Sequence, residues 1–173
     1  AAAVGLTGLV CILLAEIALN ERDPARAQRE ADAALKLEPD SYATRLMLGN
    51  ILLGQQKLAE AQTVFEGLVK SEPKNPTGYY RLGMVYHLRK QYDPALQNYD
   101  KALAINPALL DVFSKVVQLL AEQKQYDKAF ERCNRMMQQV AASPAALGGV
   151  YDLKGALHQA KGETRAAEEA FRA

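Results

Sequence analysis

Two histidines, two cysteines and a few paired carboxylates are the side chains from which this 173-residue chain could assemble a reactive site. An imidazole acts as a general base or metal ligand only beside a carboxylate, thiol or second imidazole at suitable spacing. Neither His87 nor His158 has such a neighbour in the sequence. Neither is therefore read as a general base or a metal ligand. Gly148-Gly149 lacks the following lysine and hydroxyl residue that a phosphate cradle needs, and Glu168-Glu169 reads as solvated helix surface. The expectation is a protein with no catalytic residue, no metal and no cofactor.

The elements that carry these residues follow from a period. Ala27, Ala61, Ala95 and Ala129 are spaced by thirty-four residues, and Ala167 is displaced by four more. Four residues beyond each stand Ala31, Phe65, Tyr99, Cys133 and Phe171; twelve before three of them stand Gly49, Gly83 and Gly155. Pro39, Pro73 and Pro107 close the first three blocks. Each block holds an apolar stretch of helical period, a polar break, a second such stretch and a proline stop, which predicts helix, turn, helix, turn.

This pattern resembles the tetratricopeptide repeat, whose first helix (helix A) carries a bulky residue, Leu, Gly and Tyr, and whose second (helix B) carries Ala, an aromatic, Ala and Pro. Residues 76–109 match best, with Tyr79, Leu82, Gly83, Tyr86, Ala95, Tyr99, Ala102 and Pro107. Residues 42–75 and 8–41 follow with fewer matches; 110–143 has Ala141 in place of the proline, and 148–173 is a partial fifth repeat. The resemblance implies an all-α fold, a right-handed superhelical solenoid of antiparallel helix pairs. Residues 1–173 are expected to form one such solenoid, a segment of a longer array. Turn sequences such as Gly54-Gln55-Gln56-Lys57-Leu58-Ala59 are similar to those of bacterial arrays.

Helix packing gives these residue types a purpose. Small side chains let two helices approach towards the lower end of the usual range of about 8–10 Å, so Gly83 is expected against Ala95. Asp23-Pro24 and Asp93-Pro94 are expected to open B helices, and Asn75-Pro76, Asn106-Pro107 and Ser143-Pro144 to open A helices. Without a proline stop, the B helix of the fourth repeat is expected to run on to about Ala142, absorbing the four extra residues.

Twenty-one basic side chains against twenty acidic ones offer no electrostatic basis for binding nucleic acid. The apolar run Val4–Ala15 is interrupted by Glu16 and is too short to insert into a membrane, so it reads as a buried A helix. Leu9-Val10-Cys11 loosely resembles a lipoprotein cleavage site but has no basic leader, and Cys11 is read as core. Cys11 and Cys133, three repeats apart, are expected to be reduced, buried thiols. Leu9, Ile12 and Leu13 would be exposed on an uncapped first repeat, which predicts self-association there.

In the family, A helices line a concave groove, which implies peptide-binding roles for Asn50, Tyr80, Arg81, Met84, His87, Lys115 and Gln118. Met47, Thr77, Asp111, Ser114, Glu122, Asp152 and Gln159 fall on the same face. Arg81 and Lys115 would hold a carboxylate, Asn50 and Gln118 an extended backbone, and Tyr80 and Met84 an apolar side chain. The carboxylate clamp of chaperone-binding members is incomplete, because Leu46 stands where Lys belongs and Arg81 where the second Asn belongs. The function expected is a non-catalytic scaffold binding a partner's peptide or helix, in bacterial envelope assembly, polysaccharide export or protein sorting. The alternatives are a chaperone cofactor binding a C-terminal peptide and a regulatory repeat region of a larger enzyme. The compartment is left open, with the periplasm or envelope favoured over the cytoplasm.

Overall fold

A computed structural model describes residues 2–172, with side chains from residue 7 onward. Among these residues the chain is all-α, in ten helices, and no helix is long and apolar enough to cross a membrane. The side chains of the apolar run before Thr7 lie outside the described ones. The helices fall into two compact units, Ala1–Gln91 and Tyr92–Ala173.

The first unit contains α1 (Ala2–Asn20), α2 (Pro24–Leu37), α3 (Tyr42–Gly54), α4 (Leu58–Ser71) and α5 (Pro76–Leu88). Three of these starts are capped as hydrogen-bond chemistry demands. Asp23 Oδ1 accepts from Arg26 N at 2.9 Å, Ser41 Oγ from Thr44 N at 3.4 Å and Asn75 Oδ1 from Thr77 N at 3.1 Å. Pro24 and Pro76 occupy the first helical position, where a missing N–H costs nothing. Ala15 and Ala18 of α1 pack with Ala27 and Ala31 of α2, all 0% exposed, and Met47 and Ile51 of α3 complete this cluster. Leu52, Phe65, Leu68, Leu82 and Val85 form a second cluster among α3, α4 and α5.

The second unit contains α6 (Tyr92–Ile105), α7 (Leu110–Glu122), α8 (Tyr126–Gln139), α9 (Pro144–Lys161) and α10 (Thr164–Phe171). Tyr99, Val116, Leu119, Cys133 and Val150 are fully buried, with Phe113, Leu120 and Leu157 close to it.

Several sequence expectations need correction. Helix α8 stops at Gln139 rather than near Ala142, at the same length of 14 residues as α2 and α4. Ser143-Pro144 imposes this: Pro144 opens α9 and disfavours helical geometry in the residue before it. The extra residues sit instead in α9, 18 residues against 13 for α3, α5 and α7, with a turn after it that is one residue shorter than theirs. The fifth A helix starts at Pro144, as expected of Ser143-Pro144, and so runs ahead of the repeat frame that begins at Gly148. Asn106 does not cap α7: its Oδ1 accepts from Ala108 N at 3.0 Å, closing a turn, and Leu109 holds the cap position. Helix α6 begins at Tyr92, so Asp93 and Pro94 lie within its first turn, where proline is still tolerated. Cys11 is only half-buried, since α2 ends at its level: Glu38, the C-cap of α2, lies over Gly8, one turn before Cys11.

The turns between paired helices repeat with a regularity that composition does not reveal. Arg22, Gln56, Lys90 and Lys124 all have left-handed backbone, with φ between 58 and 60°, and Gly162 takes that place after α9 at φ 84°. In each turn two amides bond back to the helix just ended, as with Lys124 N to Ala121 O at 2.8 Å and Gln125 N to Leu120 O at 2.8 Å. This double bond reverses the chain while satisfying terminal carbonyls.

Candidate interaction face

Helix α5 brings three of the expected contact residues together on one turn. The Arg81 guanidinium carbon stands 5.5 Å from the centre of the Tyr80 ring, and Arg81 Nη1 points to Met84 Sδ at 3.7 Å. Stacking and the sulfur contact hold the guanidinium against its own helix. Arg81 Nε is buried and pairs with no protein group; the same is true of Asn50 Oδ1 on α3. Both side chains are half-buried, as are those of Tyr80, Met84 and His87. Met47 departs from expectation: it is 8% exposed and belongs to the core shared by α1, α2 and α3. Leu46 likewise packs on the α3–α5 cluster.

In the second unit, Lys115 Nζ donates to Gln118 Oε1 at 3.2 Å and Gln118 Nε2 donates to Glu122 Oε1 at 2.9 Å. This chain of polar groups runs along α7. Beside it, α7 and α9 enclose a cleft of about 270 Å³ lined by Ser114, Val117, Gln118, Ala121, Leu153, Ala156 and Leu157. Only Ser114 and Gln118 bring polar side chains to it. Leu153, Ala156 and Leu157 were not among the expected contacts. Leu153 and Ala156 stand one period plus the four extra residues beyond Lys115 and Gln118, so the A-helix register itself could have found them. Asp111, Asp152 and Gln159 are exposed.

A second cleft in this unit, of about 300 Å³, lies among α6, α7 and α8 and includes Asp100, Leu103, Phe113, Arg132, Arg135 and Met136. Arg132 Nη2 donates to Asp100 Oδ2 at 2.7 Å within it.

His158 does have a carboxylate partner, contrary to the sequence reading. The turn after α9 brings Glu163 back, so that His158 Nδ1 and Glu163 Oε2 are 2.6 Å apart, while Lys161 Nζ reaches Glu163 Oε1 at 2.9 Å. The His158 ring lies 4.4 Å from that of Phe130, and Lys161 Nζ is 5.9 Å from the same ring. Hydrogen bonds from His158 and then Lys161 hold the Glu163 carboxyl below its ordinary range, and the bond to Glu163 raises Lys161. Burial pushes the Cys133 thiol up to about 11. Among the described residues no group of three or more His, Cys, Asp or Glu side chains is arranged to hold a metal ion.

Comparison with known proteins agrees with this helix-pair architecture. Two sequence models described as tetratricopeptide repeat match residues 18–83 and 76–109. The human protein O-mannosyl-transferase TMTC1 is 29% identical over 129 residues, 70% of this chain and 15% of that protein. A TPR repeat-containing protein of Methanocaldococcus jannaschii is 35% identical over 81 residues, 47% of this chain and 24% of its own length. The chain therefore spans less than a quarter of either relative. The crystal structure of MamA protein superposes with a TM-score of 0.71 at 20% identity, covering 97% of this chain and 90% of that one. With matches that together span residues 18–109 and solved helix-pair neighbours over nearly its whole length, the chain belongs to the tetratricopeptide repeat family, whose fold serves as a protein–protein interaction scaffold.

Proposed function

We propose that this chain is a non-catalytic scaffold that binds a peptide or helix of a partner protein on its A-helix face. The observation that carries this reading is the cleft between α7 and α9, which is floored by Val117, Leu153 and Leu157 and edged by the Lys115–Gln118–Glu122 chain. An apolar side chain of the partner enters the cleft, and its backbone pairs with the Gln118 amide. In the first unit, Asn50 Oδ1 and Arg81 Nε are further polar groups without protein partners, and Tyr80 and Met84 provide apolar contact beside Arg81. His87 adds a contact on the same helix. The process served, on this reading, is bacterial envelope assembly, polysaccharide export or protein sorting, supported by the style of the turn sequences.

The test is photocrosslinking with a reactive residue at Gln118, compared with one at Glu131 on α8, in a cell extract. Adducts to one discrete protein from position 118 alone are expected. Equal labelling from both positions would overturn the reading. Replacing Tyr80 and Arg81 together with Ala should weaken capture of that protein at least tenfold with helicity intact; unaltered capture counts against their role.

A second reading, a repeat region of a larger enzyme, draws on the O-mannosyl-transferase match, which covers 70% of this chain but 15% of that protein. On that reading the scaffold positions a partner for a catalytic domain elsewhere.

A further inference from the structure

Two alanines open the cleft between α7 and α9. Ala121 stands where α3 and α5 have Leu53 and His87, and Ala156 where α3, α5 and α7 have Asn50, Met84 and Gln118. Their short side chains leave a space of about 270 Å³ beside buried Val117 and Leu157. That volume lies below the range of about 300–1,000 Å³ usual for small-molecule sites and fits a single large apolar side chain. Leu153 stands where α5 and α7 have Arg81 and Lys115, so the α9 wall lacks the cation of that register.

The charges around this cleft are mostly negative. Asp111 lies one turn before Ser114 on α7, Glu122 one turn after Gln118, and Asp152 adjoins Leu153 on α9. Asp111 and Asp152 are exposed, and Glu122 accepts from Gln118 Nε2. Lys115 gives its Nζ to Gln118 Oε1, whereas Lys154 turns away to Asn134 Oδ1 on α8 at 3.0 Å and Lys161 turns to Glu163. Three carboxylates against one cation repel an acidic segment and attract a basic one. Asp111 and Glu122 are eleven residues apart in the sequence, about 16 Å along the helix, which an extended chain at about 3.3 Å per residue covers in about five residues. Gln118 keeps one amide hydrogen and one oxygen lone pair for the backbone of such a chain, since a carboxamide has two of each and Glu122 and Lys115 take only one. On the reading of the A-helix face given above, on which this depends, we infer that the partner segment is an extended peptide with one apolar anchor in the cleft and a basic residue two positions to either side of it.

Backbone amide chemical shifts of the whole chain, followed during titration with three short peptides in a Gly-Ser background, provide the test. The peptides carry Arg-Ser-Leu-Ser-Arg, Glu-Ser-Leu-Ser-Glu and Arg-Ser-Gly-Ser-Arg. The first should shift the amides of Val117, Ala121 and Ala156 with an affinity at least fivefold above that of either of the others. Asp111→Lys with Asp152→Lys should reverse the preference between the two leucine peptides. Ala156→Met should weaken the first peptide at least fivefold by filling the cleft, and both variants should keep their helical circular dichroism. Equal affinity for the leucine and glycine peptides reduces the attraction to charge alone and overturns the anchor. Equal or stronger binding of the acidic peptide at these amides overturns the charge assignment and leaves the A-helix-face reading standing. If no peptide moves these amides the inference falls outright, and crosslinking from Gln118 then decides the broader reading by itself.

Discussion

Gly49 of α3 lies directly beneath the ring of Phe65 of α4: a methyl group on Gly49 would stand 2.4 Å from Phe65 Cε1. Gly155 has the same relation to Phe171, again at 2.4 Å. At these two positions the glycine admits an aromatic ring from the facing helix.

The two glycines should respond differently to the same change. Phe65 is 0% exposed and has nowhere to go, so Gly49→Ala should destabilise the first unit by about 1–3 kcal/mol. Phe171 is 49% exposed and can swing outward, so Gly155→Ala should cost clearly less. Urea midpoints of the two variants, followed by circular dichroism, make the comparison; equal losses would contradict it.

Gly162 is the one glycine in the left-handed position that Arg22, Gln56, Lys90 and Lys124 occupy elsewhere. An L side chain there costs about 1–2 kcal/mol, so Gly162→Ala should destabilise the second unit by about 1 kcal/mol after the entropy gained in the unfolded chain is offset. Lys124→Gly should stabilise by less than about 1 kcal/mol, for the same reasons in reverse. Thermal denaturation of both variants reads the signs, and a stabilising Gly162→Ala would refute the turn argument.

The Cys133 thiol, fully buried and raised to about 11, should resist alkylation at pH 8 in the native protein, while half-buried Cys11 reacts first. Because the folded value lies above the unfolded 9.0, its contribution to stability is complete below pH 9 and is lost as pH rises through about 11. Mass spectrometry of timed alkylation should find one label before the second. A Cys133→Ala variant should lose less stability than the wild type across that alkaline window.

The carboxyl of Glu163 is held below its ordinary 4.5 by His158 and Lys161. Its contribution to the α9–α10 turn is therefore present above pH 4.5 and lost as pH falls through the lowered value. The protection factors of the Gly162 and Glu163 amides against hydrogen exchange should fall over that acid range in the wild type. In Glu163→Gln the same step should be absent.

The thirty-four-residue period made the helix pairs legible, because each alanine and each turn recurs where one pair must stack on the next. Asp23, Asn75 and Ser143 could be read as caps for the same local reason, as side-chain oxygens placed one residue before a proline that starts a helix. Asn106 misled because its proline ends one helix rather than starting the next, and which of the two applies depends on where the neighbouring helix packs. Of the expected contact residues, Tyr80, Arg81 and Met84 share one turn of α5, and Lys115 and Gln118 share one turn of α7, so helical spacing alone was enough to group them. Met47 was misassigned because exposure depends on what the preceding pair covers, and Ala15 and Ala18 are small enough to let α3 come close.

By itself the sequence determined the helix pairs and most of their starts, since these follow from periodicity and caps within a few turns of chain. Only the tertiary structure decided that the four extra residues lengthen α9, that Glu163 returns to His158, that Leu153 and Leu157 line a cleft with α7, and that Leu13 and Ile17 lie uncovered. Each of these is set by which surfaces meet across helices far apart in the chain, and burial there is a property of both partners that neither segment encodes alone.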